Sequence, residues 1–129
     1  MTALPLFDLE ALDDGVFVGY GPQYPWGGLY GGQIVAQALR AASYSVEQGL
    51  DVHSLRAYFI RRGDHTEPIR FEVDRIRDGR SFVTRRVVAY QAVGAILNLE
   101  ASFHRFEPTE DIQFMPFDPS LPGPDELPS

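Results

Sequence analysis

Gly31-Gly32-Gln33-Ile34-Val35-Ala36-Gln37-Ala38-Leu39-Arg40-Ala41-Ala42 decides how the rest of the chain is read. Val35, Ala38, Leu39, Ala42 and then Val46 recur at spacings of three and four, which is one stripe of a helix, while Gln33, Gln37, Arg40 and Tyr44 form a second stripe. The pattern predicts a helix from Gly31 to about Gln48. Ala36, Ala38, Ala41 and Ala42 make it slim, so a sheet can wrap closely around it.

On either side of this helix the period is two. Before it, Gly15 to Tyr20 alternates Val16, Val18 and Tyr20 with smaller neighbours and predicts a short strand, followed by a glycine and proline cluster from Gly21 to Gly28. After Gly49, Val52 to Arg62 places His53, Leu55, Ala57 and Phe59 on one face. Ile69, Phe71 and Val73 alternate with Arg70, Glu72 and Asp74, and the segments Phe82 to Tyr90 and Ala95 to Phe106 continue the pattern. Asp78-Gly79 is a hairpin signal, and the region of Gly94 turns the third of these strands into the fourth. Strand, helix and four strands predict an α+β fold, an antiparallel sheet around one long helix.

The 129 residues suit one domain, and the absence of cysteine excludes a disulfide framework, a thiolate metal site and a thiol nucleophile. The N-terminal stretch has neither a basic region nor a long apolar core, and no apolar run is long enough to span a bilayer, so the chain is expected in the cytoplasm. Its formal charge of -7 is unevenly distributed. Residues 1–14 and 107–129 carry acids and no base, whereas all 11 bases are arginines between Arg40 and Arg105. Such a body disfavours general nucleic-acid binding and leaves room for a local anion site. From Pro108 onward six of the ten prolines accumulate without any periodicity, and that segment reads as a linker or strap. The expected division is a domain over residues 1–107 and an acidic tail over 108–129.

Three segments carry possible chemistry. At the helix start, Gly27-Gly28-Leu29-Tyr30-Gly31-Gly32-Gln33 lets a ligand approach the backbone, and the free N–H groups of a first helical turn favour an anion; tight packing of the helix against a strand explains the same glycines. Around the hairpin, Arg75, Arg77, Arg80, Ser81, Arg85 and Arg86 suit a phosphate clamp, or a solvated face paired with Glu72 and Asp74. In the last strand Asn98, Glu100, Ser102 and His104 share one face, with Leu97, Leu99, Ala101 and Phe103 on the other, which should cover the helix. Glu100 is then either surface or a general base. His53 interrupts an apolar stripe as a core or interface histidine or as a catalyst. His53, His65 and His104 have no acid at metal-ligand spacing, and no metal is expected.

Taken in order, residues 30–39 (YGGQIVAQAL), 52–59 (VHSLRAYF) with Gly63-Asp64, Pro68-Ile69, 77–82 (RDGRSF), 84–87 (TRRV) and 101–103 (ASF) resemble the acyl-CoA thioesterase II family of the hotdog fold. The resemblance extends from about residue 13 to the proline-rich tail. It implies hydrolysis of fatty acyl-CoA to free acid and CoA without a cofactor, by two hotdog domains packed together. This chain resembles the first of them with the start of the connecting tail. The family's water-activating acid, hydroxyl and amide come mainly from the second domain. Arg56 stands where a second histidine is common, Arg62 replaces a proline, and Glu100 replaces a small or hydroxyl residue.

By pseudo-symmetry the resemblance places Glu100 and Gln37 near positions that are catalytic in the second domain. The expected catalytic set is therefore Gln37, Glu100, Gly32 and His53. Tyr30, Gly31, Arg77, Arg80 and Ser81 are expected to bind substrate. A lone hotdog leaves a strand edge open, so the chain is expected to form a homodimer or higher homo-oligomer, or a heterodimer with a second-domain-like subunit. The alternative is a non-catalytic acyl-CoA-binding or scaffold subunit.

Overall fold

The computed structural model describes residues 5–128. Its sheet strands are β1 (Glu10–Asp13), β2 (Val16–Gly19), β3 (Leu50–Phe59), β4 (Ile69–Asp78), β5 (Phe82–Gln91) and β6 (Gly94–Arg105), with one α-helix, α1 (Gly31–Ser43). Every neighbouring pair is antiparallel, in the order β1-β2-β4-β5-β6-β3. Short 3-10 turns lie at Pro5–Phe7 and Pro124–Glu126.

One face of this sheet is closed by α1. Ile34, Ala38, Ala41 and Ala42 of the helix meet Ile69 and Phe71 of β4, Val83, Val87 and Ala89 of β5, and Leu97, Leu99, Ala101 and Phe103 of β6. The alternation read in β6 thus has its apolar half on the helix, as expected. Each large side chain sealed there is worth about 1.5–3 kcal/mol over leaving it in water. Alanine on the helix brings backbone and sheet close enough for those contacts to form without a second layer.

Three details differ from the sequence reading. The helix stops at Ser43 rather than near Gln48, because Ser43 Oγ donates to Leu39 O (2.8 Å) and Ser45 Oγ to Ala42 O (2.9 Å). Serine hydroxyls that bond nearby carbonyls compete with helix continuation. The acidic N-terminal stretch contributes an additional edge strand, β1, whose residues are all exposed and therefore show no alternation. It joins β2 through Asp14-Gly15, where Gly15 has φ +71°, a value glycine adopts without steric cost.

Third, a bulge in β3 between Val52 and Ser54 sets two residues against one on β6. Val52 and Leu55 register with Phe103 and Ala101, and His53 is turned to the other face, where Nε2 bonds Ser102 Oγ at 2.7 Å. His53 therefore does not share a face with Leu55, Ala57 and Phe59.

Strand β3 forms one edge of the sheet, and much of it is in water: Val52, Leu55, Tyr58 and Phe59 are all exposed. At the opposite end of the helix, Arg85 is the one arginine drawn into the core, 1% exposed. Its guanidinium bonds Ser45 Oγ and O, the carbonyls of Arg77 and Thr84, and the Asp78 carboxylate.

Candidate functional site

The N-terminus of α1 opens beside the C-terminal end of β3. Tyr30 caps it in an extended conformation without a side-chain hydrogen bond, and its carbonyl accepts from Gln33 (3.1 Å) and Ile34 (3.4 Å). Among the described residues the N–H groups of Gly31 and Gly32 have no acceptor. Gly31 lies close under Phe59: a Cβ there would stand 3.0 Å from the ring, which would have to shift to make room. A cleft of about 320 Å³ lies at this point, lined by Leu29, Gly31, Ile34, Phe59, Ile60, Arg61, Arg62 and Gly63.

Two arginines at the cleft anchor its walls. Arg61 donates to Ala95 O (2.7 Å) and Arg62 to Trp26 O (2.9 Å), and neither has a carboxylate partner among the described residues. Arg62 thereby fixes the glycine and proline loop, in which Trp26 stacks on Tyr24 with centroids 4.8 Å apart. The loop after β3 is clamped by Gln91, which accepts from Asp64 N–H (2.8 Å) and donates to Asp64 O (2.7 Å). The hydroxyl and N–H of Thr66 hold the Asp64 carboxyl below the usual carboxylate range.

The expected site residues fall into separate places. Tyr30, Gly31 and Gly32 meet at the helix N-terminus. Gln37, 0% exposed, donates to Leu6 O (2.9 Å) and Tyr20 O (2.8 Å), and its Oε1 accepts from Gln33 Nε2 (3.4 Å). Both its amide hydrogens are taken, so it ties the N-terminal segment and the end of β2 to the helix instead of facing water. Tyr24 extends the chain of bonds by donating to Gln33 Oε1 at 2.6 Å.

Glu100 and His53 are on the sheet face opposite α1. Glu100 Oε2 accepts from Arg56 at 2.6 Å and 3.1 Å, and this carboxylate raises the Arg56 pKa above its ordinary value, chiefly by hydrogen bonding. His53 stands among Ser102, His104 and Phe82. The structure therefore does not bring Gln37, Glu100, Gly32 and His53 together in one chain.

Arg77, Arg80 and Ser81 lie at the β4–β5 hairpin, near the turn that follows the helix. A 13-residue helix is about 20 Å long, so this hairpin and Gly31 sit at opposite ends of the domain. Arg85 is no phosphate ligand, its donors being consumed internally. The cations beside the helix N-terminus are instead Arg61 and Arg62. The signal that could have found them is the exit of an apolar strand, Tyr58-Phe59-Ile60, straight into Arg61-Arg62-Gly63.

Among the described residues no group of three or more His, Asp or Glu is placed to hold a metal, and no helix is long and apolar enough to cross a membrane.

A family model described as the acyl-CoA thioesterase N-terminal domain matches residues 21–104. The human protein named acyl-coenzyme A thioesterase 8 is 42% identical over 122 residues, which is 95% of this chain and 38% of that protein. The crystal structure of an acyl-CoA thioesterase II from Mycobacterium marinum is 40% identical with a TM-score of 0.76, covering 95% of this chain and 46% of the other. A hot dog fold protein of unknown function from Alicyclobacillus acidocaldarius aligns with the same TM-score of 0.76 at 21% identity, a likeness of fold alone. The chain thus spans less than half the length of each of these three relatives.

Proposed function

Because this chain belongs to the acyl-CoA thioesterase N-terminal domain family, we propose that it forms one half of a site hydrolysing fatty acyl-CoA to free acid and CoA in the cytoplasm. The observation that carries this reading is the pair of unbonded amides, Gly31 and Gly32, at the helix N-terminus, where Gly31 lines a cleft together with Leu29, Ile34, Phe59, Ile60, Arg61 and Arg62.

In this mechanism the thioester carbonyl oxygen accepts from the Gly31 and Gly32 N–H groups, where negative charge develops as water adds to carbon. The C–S bond then breaks, the water oxygen remains on the acid, and one water proton passes to the departing thiolate. Leu29, Ile34, Phe59 and Ile60 offer apolar surface to the acyl chain near the carbonyl, and Tyr30 borders the same mouth. Arg61 and Arg62 meet the anionic end of the substrate. Arg77, Arg80 and Ser81, a domain length away, serve the substrate only if it crosses between two domains.

The groups that orient water come from a second hotdog domain paired along the open edge of β3. Gln37 in this reading positions the strap over the helix. Glu100 and His53 act only if the second domain presents its own cleft to their face.

The test is release of free thiol from a panel of acyl-CoAs by the chain alone and with a second-domain subunit. Turnover by a dimeric form that falls on Gly31→Leu is expected; turnover indifferent to that change places the oxyanion site elsewhere.

One observation favours a non-catalytic acyl-CoA-binding subunit as the second reading. Among the described residues no carboxylate or imidazole side chain lines the cleft of a single chain. Saturable acyl-CoA binding without thiol release in any assembly would establish that reading in place of the first.

A further inference from the structure

Two features of the molecule lack a partner, and they are complementary. The first is the segment that follows β6. From Phe106 to Leu127 it holds Phe106, Ile112, Phe114, Met115, Phe117 and Leu121 mostly in water, Phe114 being 92% exposed. It also carries six carboxylates, Glu107, Glu110, Asp111, Asp118, Asp125 and Glu126, and no base. The segment has its own turns. Asp118 Oδ1 accepts from the Ser120 N–H (2.9 Å) and hydroxyl (2.7 Å), and Glu126 accepts from Gly123 N–H (3.0 Å). Among the described residues no hydrogen bond or ion pair joins it to the domain.

The second feature is the sheet face turned away from α1. A groove of about 410 Å³ there is lined by Arg56, Tyr58, Ile76, Arg86, Asn98 and Glu100. Tyr58 and Ile76 give it an exposed apolar floor. Arg86 bonds Asn98 Oδ1 through Nε (3.3 Å) and has no carboxylate partner among the described residues, although Asp74 registers opposite it on β4. Arg56 uses Nε and one terminal nitrogen on Glu100, leaving the other terminal nitrogen free. Glu72, a further acid of this face, is paired with Arg70.

We propose that, in a dimer, the 106–127 segment of one copy lies along this groove of the second copy, and reciprocally. Its charge opposes that of Arg86, which has no carboxylate partner among the described residues, and of the terminal nitrogen that Arg56 leaves free, and its phenylalanines match the floor. Its preformed turns, which make no hydrogen bond or ion pair to their own domain among the described residues, lower the ordering cost of docking elsewhere. Fully extended, such a segment reaches roughly 70 Å, enough to cross a neighbouring domain. A two-fold exchange of identical arms closes on itself and leaves no free arm. The proposal rests on the paired-domain reading above only to bring two copies together.

The experiment replaces Phe114 with a photo-crosslinking phenylalanine in the full chain and mixes it with an equal amount of isotopically labelled chain. Crosslinks from Phe114 to the β3 to β6 groove of the other isotope are expected. Arg86→Glu, and separately Phe114→Ser with Phe117→Ser, should each weaken the dimer about tenfold, with the wild-type dimer also weakened by added salt. Crosslinks confined to one isotope, crosslinks landing on the helix, or a dimer indifferent to both variants overturn the proposal.

A labelled peptide of residues 106–127 separates this idea from the pairing of β3. It should bind the full chain carrying Leu55→Pro and lose that binding when Arg86→Glu is added. Failure of the peptide to bind overturns the arm alone; a dimer that survives Leu55→Pro with the arm bound overturns only the edge-pairing reading.

Discussion

Arg85 Nε donates to Ser45 Oγ over 2.7 Å, which fastens the middle strand β5 to the chain just beyond the helix. The same guanidinium reaches the Asp78 carboxylate and three carbonyls, so one side chain joins the helix end to the β4–β5 hairpin. Removing a buried charge partner costs about 3–5 kcal/mol. Because Asp78 can rehydrate, Arg85→Ala should fall near roughly 3 kcal/mol in urea unfolding, the lower end of that range. Ser45→Ala, which deletes one acceptor, should cost about 1 kcal/mol. An Arg85→Ala chain as stable as wild type would show the clasp to be unimportant.

Gln37 is expected to be sensitive to chemistry more than to size. Gln37→Ala leaves Leu6 O and Tyr20 O without donors and should cost about 2 kcal/mol. Gln37→Glu is nearly isosteric, yet an ionised carboxylate offers no hydrogen to two carbonyls in a buried site. Thermal unfolding at neutral pH should therefore rank Glu below Ala, with wild type highest. The reverse order would mean that the network opens to water.

The open edge of β3 predicts a change of mass. Proline removes a ladder donor and is poorly tolerated where strands must pair. If the proposed pairing along β3 holds, Leu55→Pro, or Tyr58→Lys together with Phe59→Lys, should lower the mass of the wild-type assembly to that of a monomer in sedimentation at fixed concentration. Unchanged mass in both would place the contact away from this edge.

Asp64 provides a pH test. Its folded pKa lies below the ordinary value because Thr66 donates twice to the carboxylate. A depressed carboxyl contributes stability above its unfolded pKa and loses it as pH falls through the folded value. In NMR titrations Thr66→Ala should move the Asp64 midpoint upward, toward 3.8, with little change in neighbouring carboxylates. No upward movement would mean that Thr66 is not the cause.

Much of this architecture was legible in residues 30–105, because burial imposes its own period. Leu97, Leu99, Ala101 and Phe103 alternate since only one face of β6 meets the helix. Strand β1 was not legible, because a fully exposed edge has no apolar rhythm to read. His53 was misplaced for another reason: a bulge shifts the face of every residue before it, and single-residue insertions leave no trace in a simple alternation.

The site was harder still. Gln37 and Glu100 look alike in sequence, as polar residues on otherwise apolar elements, yet one is sealed by carbonyls and the other faces away from the helix. Which side of a sheet a polar residue takes, and what its hydrogen atoms already hold, depends on partners distant in the chain. Arg61 and Arg62 are drawn to the helix N-terminus by Trp26 and Ala95, contacts that no local pattern announces.

Ala38, Ala41 and Ala42, all 0% exposed, press the helix onto the sheet. Under the proposed function, a hydrocarbon chain then finds its apolar surface at the cleft by Phe59 and Ile60 and not under the helix. The rest of that chain would run along the seam with the proposed second domain, and the ruler for its length would change with that neighbour. Under the proposed function, selectivity becomes a property of the pairing, adjustable by exchanging partners while every residue of this chain stays the same.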